Sequence, residues 1–327
     1  MRRRHFLSLI GTAACTLSPA MRFAGAATTP VRIGFVSGGD KAGAADFVAA
    51  LRDGLASFGH VERAGLQLEL SYADYQLNRI PAMIADLERS GVAVIVTHAA
   101  ATSIVVRSQR RTPVVYEFSA DPITVGIAKD LAHPLDNATG VSLMAVELNT
   151  KRLELLREIS ADARHVAVVA NPLHPGVEKE RGYSEAAAEQ LGFRTSFFPT
   201  PDRSELDRAL EAIDAKKPQA LLVLSDGFVV ENRSLIINFA MSRRLPVISG
   251  WAVMANSGAL CSYGPRLVES YRRTAYFVDR ILKGAKAVDL PIEQPTVFEL
   301  VVNLNSARTL GIAIPQSVLV RADRVIE

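Results

Sequence analysis

TPVVYEFSADPITVGIAKDLAHPLDNATGVS, residues 112–142, decides the fold. Within it, residues 113–118 form a short apolar run bounded by Pro113 and by the turn Ser119-Ala120-Asp121-Pro122. Strands covered on both faces are near-continuously apolar, so the run predicts a central parallel strand. Glu117, Ser119 and Asp121 stand at its carboxyl end, and Pro122 suits the first turn of a following helix. Open α/β sheets bind ligands just outside the carboxyl ends of their strands. His133-Pro134 and Asn137-Ala138-Thr139-Gly140 then interrupt the pattern before a new strand near Val141. That interruption marks the exit from one lobe into another, with a pocket rim and a hinge close together.

The flanking sequence repeats one scheme. Strands are expected at 31–36, 66–72 and 92–97, with helices at 44–58 and 80–89 and a further helix after the third strand. The second half alternates in the same way: helices at 151–159, 183–191, 206–213 and 234–242, and strands at 165–170, 194–199, 220–224 and 246–249. Alternating βα order gives a parallel, doubly wound sheet. The tail holds a short strand ending near Gly264, a long helix to Lys283-Gly284, an extended segment at 290–295 and a late strand at 297–304. The fold class expected is therefore α/β: two Rossmann-like lobes joined by a multi-strand hinge. The expected division is a leader at 1–26, a first lobe at 30–143 with 259–292, and a second lobe at 144–258 with 293–327.

The 327 residues include enough apolar side chains, 49%, for two cores. Arg2-Arg3-Arg4, the apolar run 6–17 and Ala24-Gly25-Ala26 read as an export signal of the general secretory or twin-arginine type. Its apolar run is too short and interrupted to span a bilayer. The first 26 residues hold four arginines and no acids, so the formal net charge of +3 becomes −1 without them. No nucleic-acid footprint remains. Of two cysteines only Cys261 lies beyond the leader, so no intrachain disulfide is expected.

Strand ends on both lobes supply the candidate cleft. On the first lobe these are Ser37, Gly39 and Asp40; Thr97, His98, Ala101 and Thr102; and Glu117, Ser119 and Asp121. On the second they are Asn171, Asp226, Phe228 and Trp251, with Tyr263 at the cleft or the hinge. Thr97, Ala101 and Thr102 could hold a ligand carboxylate at a helix N-terminus, or the threonines could cap their own helix. Glu117, Asp121 and Asp226 could meet an ammonium group; helix capping is the alternative for Asp121. Trp251 and Phe228 offer stacking faces or core packing. Motifs for phosphate loops, dinucleotides, zinc proteases and serine hydrolases are missing, so no cofactor, metal or catalytic residue is expected.

Several blocks carry a family likeness: Asp121-Pro122, Asn137-Ala138-Thr139-Gly140-Val141-Ser142, Lys151-Arg152-Leu153-Glu154-Leu155-Leu156, Ser262-Tyr263-Gly264 and Tyr271-Arg272-Arg273. Residues 279–286, 298–304 and 321–327 extend it over nearly the whole chain beyond the leader. In these blocks the chain resembles the ABC transporter substrate-binding proteins related to the TrpX aromatic amino-acid binders. The resemblance implies a type I periplasmic-binding-protein fold and an exported, periplasmic, monomeric, non-enzymatic protein. It further implies that an amino acid or aromatic compound is held between the lobes and delivered to a membrane permease. The alternatives are a ligand sensor for a membrane receptor and, more distantly, an exported hydrolase.

Overall fold

The computed structural model describes residues 30–62, 64–108, 111–135, 137–143 and 148–327. The expected leader at 1–26 and residues 144–147 of the first crossing lie outside them. The first lobe is built from β1 (Val31–Ser37), α1 (Ala45–Ser57), β2 (Leu66–Tyr72), α2 (Ile80–Ser90), β3 (Val94–His98), α3 (Ala101–Arg107), β4 (Val114–Phe118) and β5 (Ala138–Ser142). Its sheet has the order β2-β1-β3-β4-β5, parallel throughout. Every residue of β3 and β4 is buried, as the apolar runs required. Gly140 belongs to the hinge-side strand because a Cβ there would lie 1.9 Å from the carbonyl oxygen of Tyr116.

The second lobe follows with α4 (Leu148–Ile159), β6 (His165–Ala170), α5 (Val177–Gln190), β7 (Arg194–Pro199), α6 (Arg203–Lys216), β8 (Ala220–Val223), α7 (Gly227–Glu231) and α8 (Arg233–Ser242). It continues through β9 (Val247–Ser249), α9 (Ala252–Asn256), β10 (Cys261–Pro265), α10 (Leu267–Leu282), β11 (Phe298–Asn303), α11 (Leu304–Leu310), α12 (Gln316–Arg321) and β12 (Arg324–Ile326). The second sheet runs β12-β11-β10-β9-β8-β6-β7, with β11 antiparallel to β10 and the other pairs parallel. Each sheet carries an apolar cluster on both faces.

Two expectations need correction. Residues 259–265 were expected in the first lobe, but β10 is hydrogen-bonded between β9 and β11 of the second sheet. The chain crosses only after Pro265, and α10 then packs on α1 of the first lobe. It crosses back beyond Glu293, whose backbone pairs with Gly140 and Ser142 at the edge of β5. The helix expected after Pro122 is a set of turns. Asp121 accepts from the backbone N–H of Ile123 at 3.1 Å and from the Thr124 hydroxyl, and Gly126 ends the segment at a φ of 74°. The short helices α7 and α9 were not anticipated.

Candidate functional site

The carboxyl ends of β1, β3 and β4 face those of β6, β8 and β9, and the two lobes touch across the gap. Ser119 Oγ lies 2.7 Å from His174 Nε2, and Lys179 Nζ donates to Asp121 at 2.8 Å and to the Thr124 hydroxyl at 2.7 Å. Tyr75 meets Phe228 edge-on with ring centroids 5.7 Å apart. Glu231, at the end of α7, reaches the first-lobe loop so closely that a Cβ on Gly43 would sit 2.0 Å from its Oε1. The lobes are therefore in a closed arrangement.

Closure leaves two small inner chambers that share His98, Ala99, Gly227 and Glu231 in their walls. One, of ≈ 50 Å³, is lined by Ser37, Gly38, Gly39, Tyr75, Leu77, Asn171, Leu173, Asp226 and Phe228 among others. The other, of ≈ 40 Å³, is lined by Gly43, Glu117, Ser119, Val230, Trp251, Leu267 and Tyr271 as well. Tyr75 and Ala99 hold φ angles of 64° and 52°. The left-handed region costs an L-residue roughly 1–2 kcal/mol, and such strain gathers at functional sites. A wider groove of ≈ 350 Å³ lies beyond Glu231 and includes Arg233 and Arg266.

The electrostatics of the inner chambers are one-sided. Glu117 is 3% exposed, and burial pushes its carboxyl up to about 8. No described protein group donates a hydrogen bond to it. Glu231 is also pushed up to about 8, by burial first and then by Asp40, with Arg233 acting in the opposite direction. Its Oε2 is buried with no hydrogen-bond partner among the described residues. Tyr271 is raised by burial and by the neighbouring Glu117, Asp46 and Glu231. His98 is packed against Phe35 and Phe47 with ring centroids 5.6 and 4.7 Å away, and burial lowers it to about 4, so it is neutral at pH 7. A carboxylate buried without a partner is costly. Two such carboxyls, one from each lobe, face this interior, and among the described residues no lysine or arginine lines it.

The expected site residues fall into three groups. Ser37, Gly39, His98, Glu117, Ser119, Asn171, Asp226, Phe228 and Trp251 line the inner chambers, and Asp40 lines the groove outside them. Several of these already serve the fold. Asp226 caps α7 through Phe228 N–H at 2.9 Å and accepts from Asn171 at 3.1 Å, while Asp40 accepts from Gly43 N–H at 2.8 Å. Thr97, Ala101 and Thr102 are fully buried away from the chambers. Thr97 Oγ1 donates to the Val36 carbonyl at 3.0 Å and Thr102 Oγ1 to the Glu117 carbonyl at 3.5 Å, so both threonines tie strands together. Asp121 is engaged by Lys179, and the ring of Tyr263 stacks on Phe298 outside the inner chambers.

Below the cleft floor Arg152 is fully buried. It donates from Nε to the Tyr263 carbonyl at 2.9 Å and from Nη1 to Asn149, joining α4 to β10. Burial lowers it to about 10 while Glu180 and Tyr263 oppose the shift. Ser119, His174 and Glu180 form a line that superficially resembles a nucleophile and base. However, His174 Nδ1 is 4.0 Å from Glu180, beyond hydrogen-bond reach, and the Ser119–His174 contact bridges the lobes. The Cys261 thiol is buried and pushed up to about 12, far from a reactive thiolate. Among the described residues no cluster of three or more His, Cys, Asp or Glu could hold a metal ion, and no helix is long and apolar enough to cross a membrane.

Glu231, Tyr75, Leu267 and Tyr271 are chamber residues that sequence reasoning missed. Glu231 carried no sequence signal, because it ends a five-residue helix too short to show a period.

Comparison with known proteins places this geometry. A curated tyrosine-binding protein of Clostridioides difficile is 21% identical over 199 residues. The match covers 61% of this chain and 56% of that protein, so the chain spans little more than half the length of the curated relative it matches. Among solved structures, the ABC domain in complex with L-Trp from Streptococcus pneumonia superposes with a TM-score of 0.83 at 23% identity, covering 91% of this chain and 100% of that one. A conserved domain protein of Vibrio cholerae gives a TM-score of 0.82 at 24% identity, covering 90% and 99%. These likenesses, with a ribose operon repressor protein of Lactobacillus acidophilus at a TM-score of 0.56, 18% identity and coverage of 80% and 94%, fit the type I periplasmic-binding-protein fold. The family described as ABC transporter substrate binding protein matches residues 35–326, and the chain belongs to it.

Proposed function

We propose that the chain is the exported solute-binding component of an ABC-type importer, that it closes on a small amine-bearing molecule, and that it performs no catalysis. The observation that carries the ligand class is the pair Glu117 and Glu231. They come from opposite lobes and line one chamber, burial raises both carboxyls, and Glu231 Oε2 has no hydrogen-bond partner among the described residues. In an open arrangement water solvates both. Closure removes that water, so closure is favourable when an ammonium group takes its place between them. The ligand is thereby the bridge that selects the closed form for a permease. Trp251 and Tyr271 supply aromatic walls beside the charge, suited to a cation. The tyrosine-binding relative and the L-Trp complex both concern ligands that carry an amine, which supports the same class. The leader read at residues 1–26 supports export.

A thermal-shift screen of the purified protein against amines, amino acids, sugars and dicarboxylates tests the reading, because a ligand that binds only the folded form raises the melting temperature. Amine-bearing compounds are expected to give the hits, with no ligand turnover over hours. Hits confined to neutral sugars or to anions contradict the assignment.

A further inference from the structure

We infer that the inner cleft selects a small organic amine that lacks a carboxylate, a monoamine or diamine, over the corresponding amino acid. The inference rests on the amine-binding reading above and goes past the amino-acid ligands of the relatives. Charge balance is the first observation. Glu117, Glu231 and Asp226 line the two inner chambers, and among the described residues no lysine or arginine does. The basic ring there, His98, is neutral at pH 7 because it is buried against two phenylalanines. An ammonium group ionises the carboxyls it pairs with, and a zwitterion's own carboxylate then faces them as a like charge in a low dielectric.

The second observation is that four donors at the strand and helix ends, Thr97, Thr102, Phe228 and Val229, are engaged within the protein. Thr97 and Thr102 donate to strand carbonyls, and the backbone N–H groups of Phe228 and Val229 point to Asp226 at 2.9 and 3.4 Å. Ser37 Oγ accepts from Gly39 N–H and lies 3.1 Å from His98 Nε2. Arg233 lies outside, in the groove beyond Glu231, where it donates to the Val230 carbonyl at 2.9 Å and the Ser257 hydroxyl at 3.1 Å.

Size is the third. Chambers of ≈ 50 and ≈ 40 Å³ hold together about seven groups the size of a water, at roughly 10–15 Å³ each. That matches an amine of about seven heavy atoms, and the Tyr75–Phe228 wall suits its apolar part.

Isothermal titration calorimetry at pH 7.5 with three matched pairs tests the inference: putrescine against ornithine, histamine against histidine, and tyramine against tyrosine. In whichever pair binds, the amine is expected to bind at least about tenfold more tightly than its amino acid. Glu231→Gln and Glu117→Gln, measured separately so that a folding failure in one leaves the other, are each expected to shrink that ratio toward one. An amino acid that binds as tightly as its amine, or a ratio unchanged in both variants, overturns the selectivity and leaves the amine-binding reading standing. Binding of neutral sugars or dicarboxylates with no heat from any of the six compounds overturns that reading as well.

Discussion

Asp121 of the first lobe meets Lys179 of the second at 2.8 Å, and Ser119 meets His174 at 2.7 Å, whereas Glu117 and Glu231 line one chamber from opposite lobes and Glu231 Oε2 has no partner among the described residues. Both sets of polar groups lie at strand or helix ends on facing lobes. The first set satisfies itself when the lobes close, so it stabilises closure whatever lies between them. The second is left desolvated by closure, so on the function proposed above it penalises closure until a cation arrives. A binding protein that answers to its ligand needs both: latches that hold the closed form and an unpaired charge that makes it conditional.

The comparison breaks most readily at Glu117. Replacing it with Gln keeps the shape and removes the charge, so affinity for a bound amine is expected to fall about 10- to 100-fold, or about 1.5–3 kcal/mol. The melting temperature without added ligand should hold or rise. A large affinity loss accompanied by unfolding would instead make Glu117 a structural residue.

Next in size is the dependence of stability on pH. The Glu117 carboxyl is raised to about 8, above its ordinary value near 4.5, so the stability associated with its protonated form is complete at low pH and is lost as pH rises through 8. Between pH 6.5 and 8 this amounts to about 2 kcal/mol, at 1.36 kcal/mol per unit. His98, lowered to about 4, works the other way and costs stability only below about 6.5. Melting curves from pH 6.5 to 8 without added ligand should therefore fall in the wild type and fall less steeply in Glu117→Gln, where Glu231, also raised to about 8, still titrates.

The latches give smaller effects. Ser119→Ala removes a buried cross-lobe hydrogen bond and should weaken binding about five- to tenfold, near 1 kcal/mol. Lys179→Ala removes a partly exposed ion pair worth at most about 1 kcal/mol, so its effect should be severalfold at most and shrink further in high salt. If the Lys179 variant lost more affinity than the Glu117 variant, the division between latch and ligand groups would be reversed.

Much of this was legible in the sequence. The alternating leucines at 66–72 and the apolar, valine-rich runs at 94–98 and 114–118 carry their own strand signal, and Glu117 was visible as an acid at the carboxyl end of a central strand. The lobe that owns β10 was hidden, because hydrophobic period reports the element and says nothing of which sheet accepts it. Thr97 and Thr102 looked like ligand contacts because their loop faces the cleft, yet their hydroxyls turn back to strand carbonyls. Glu231 ends a five-residue helix, too short to show a period, and in sequence it resembles any solvated surface charge.

The most direct measurement is calorimetric titration with putrescine at pH 7 in two buffers of different ionisation enthalpy, on the wild type and on Glu231→Gln. Carboxyls raised to about 8 are mostly protonated at pH 7 and must give up protons to pair with a cation. The account predicts release of one to two protons by the wild type and about one fewer by the variant, which also binds more weakly. Equal affinities with no proton release from either protein would contradict it.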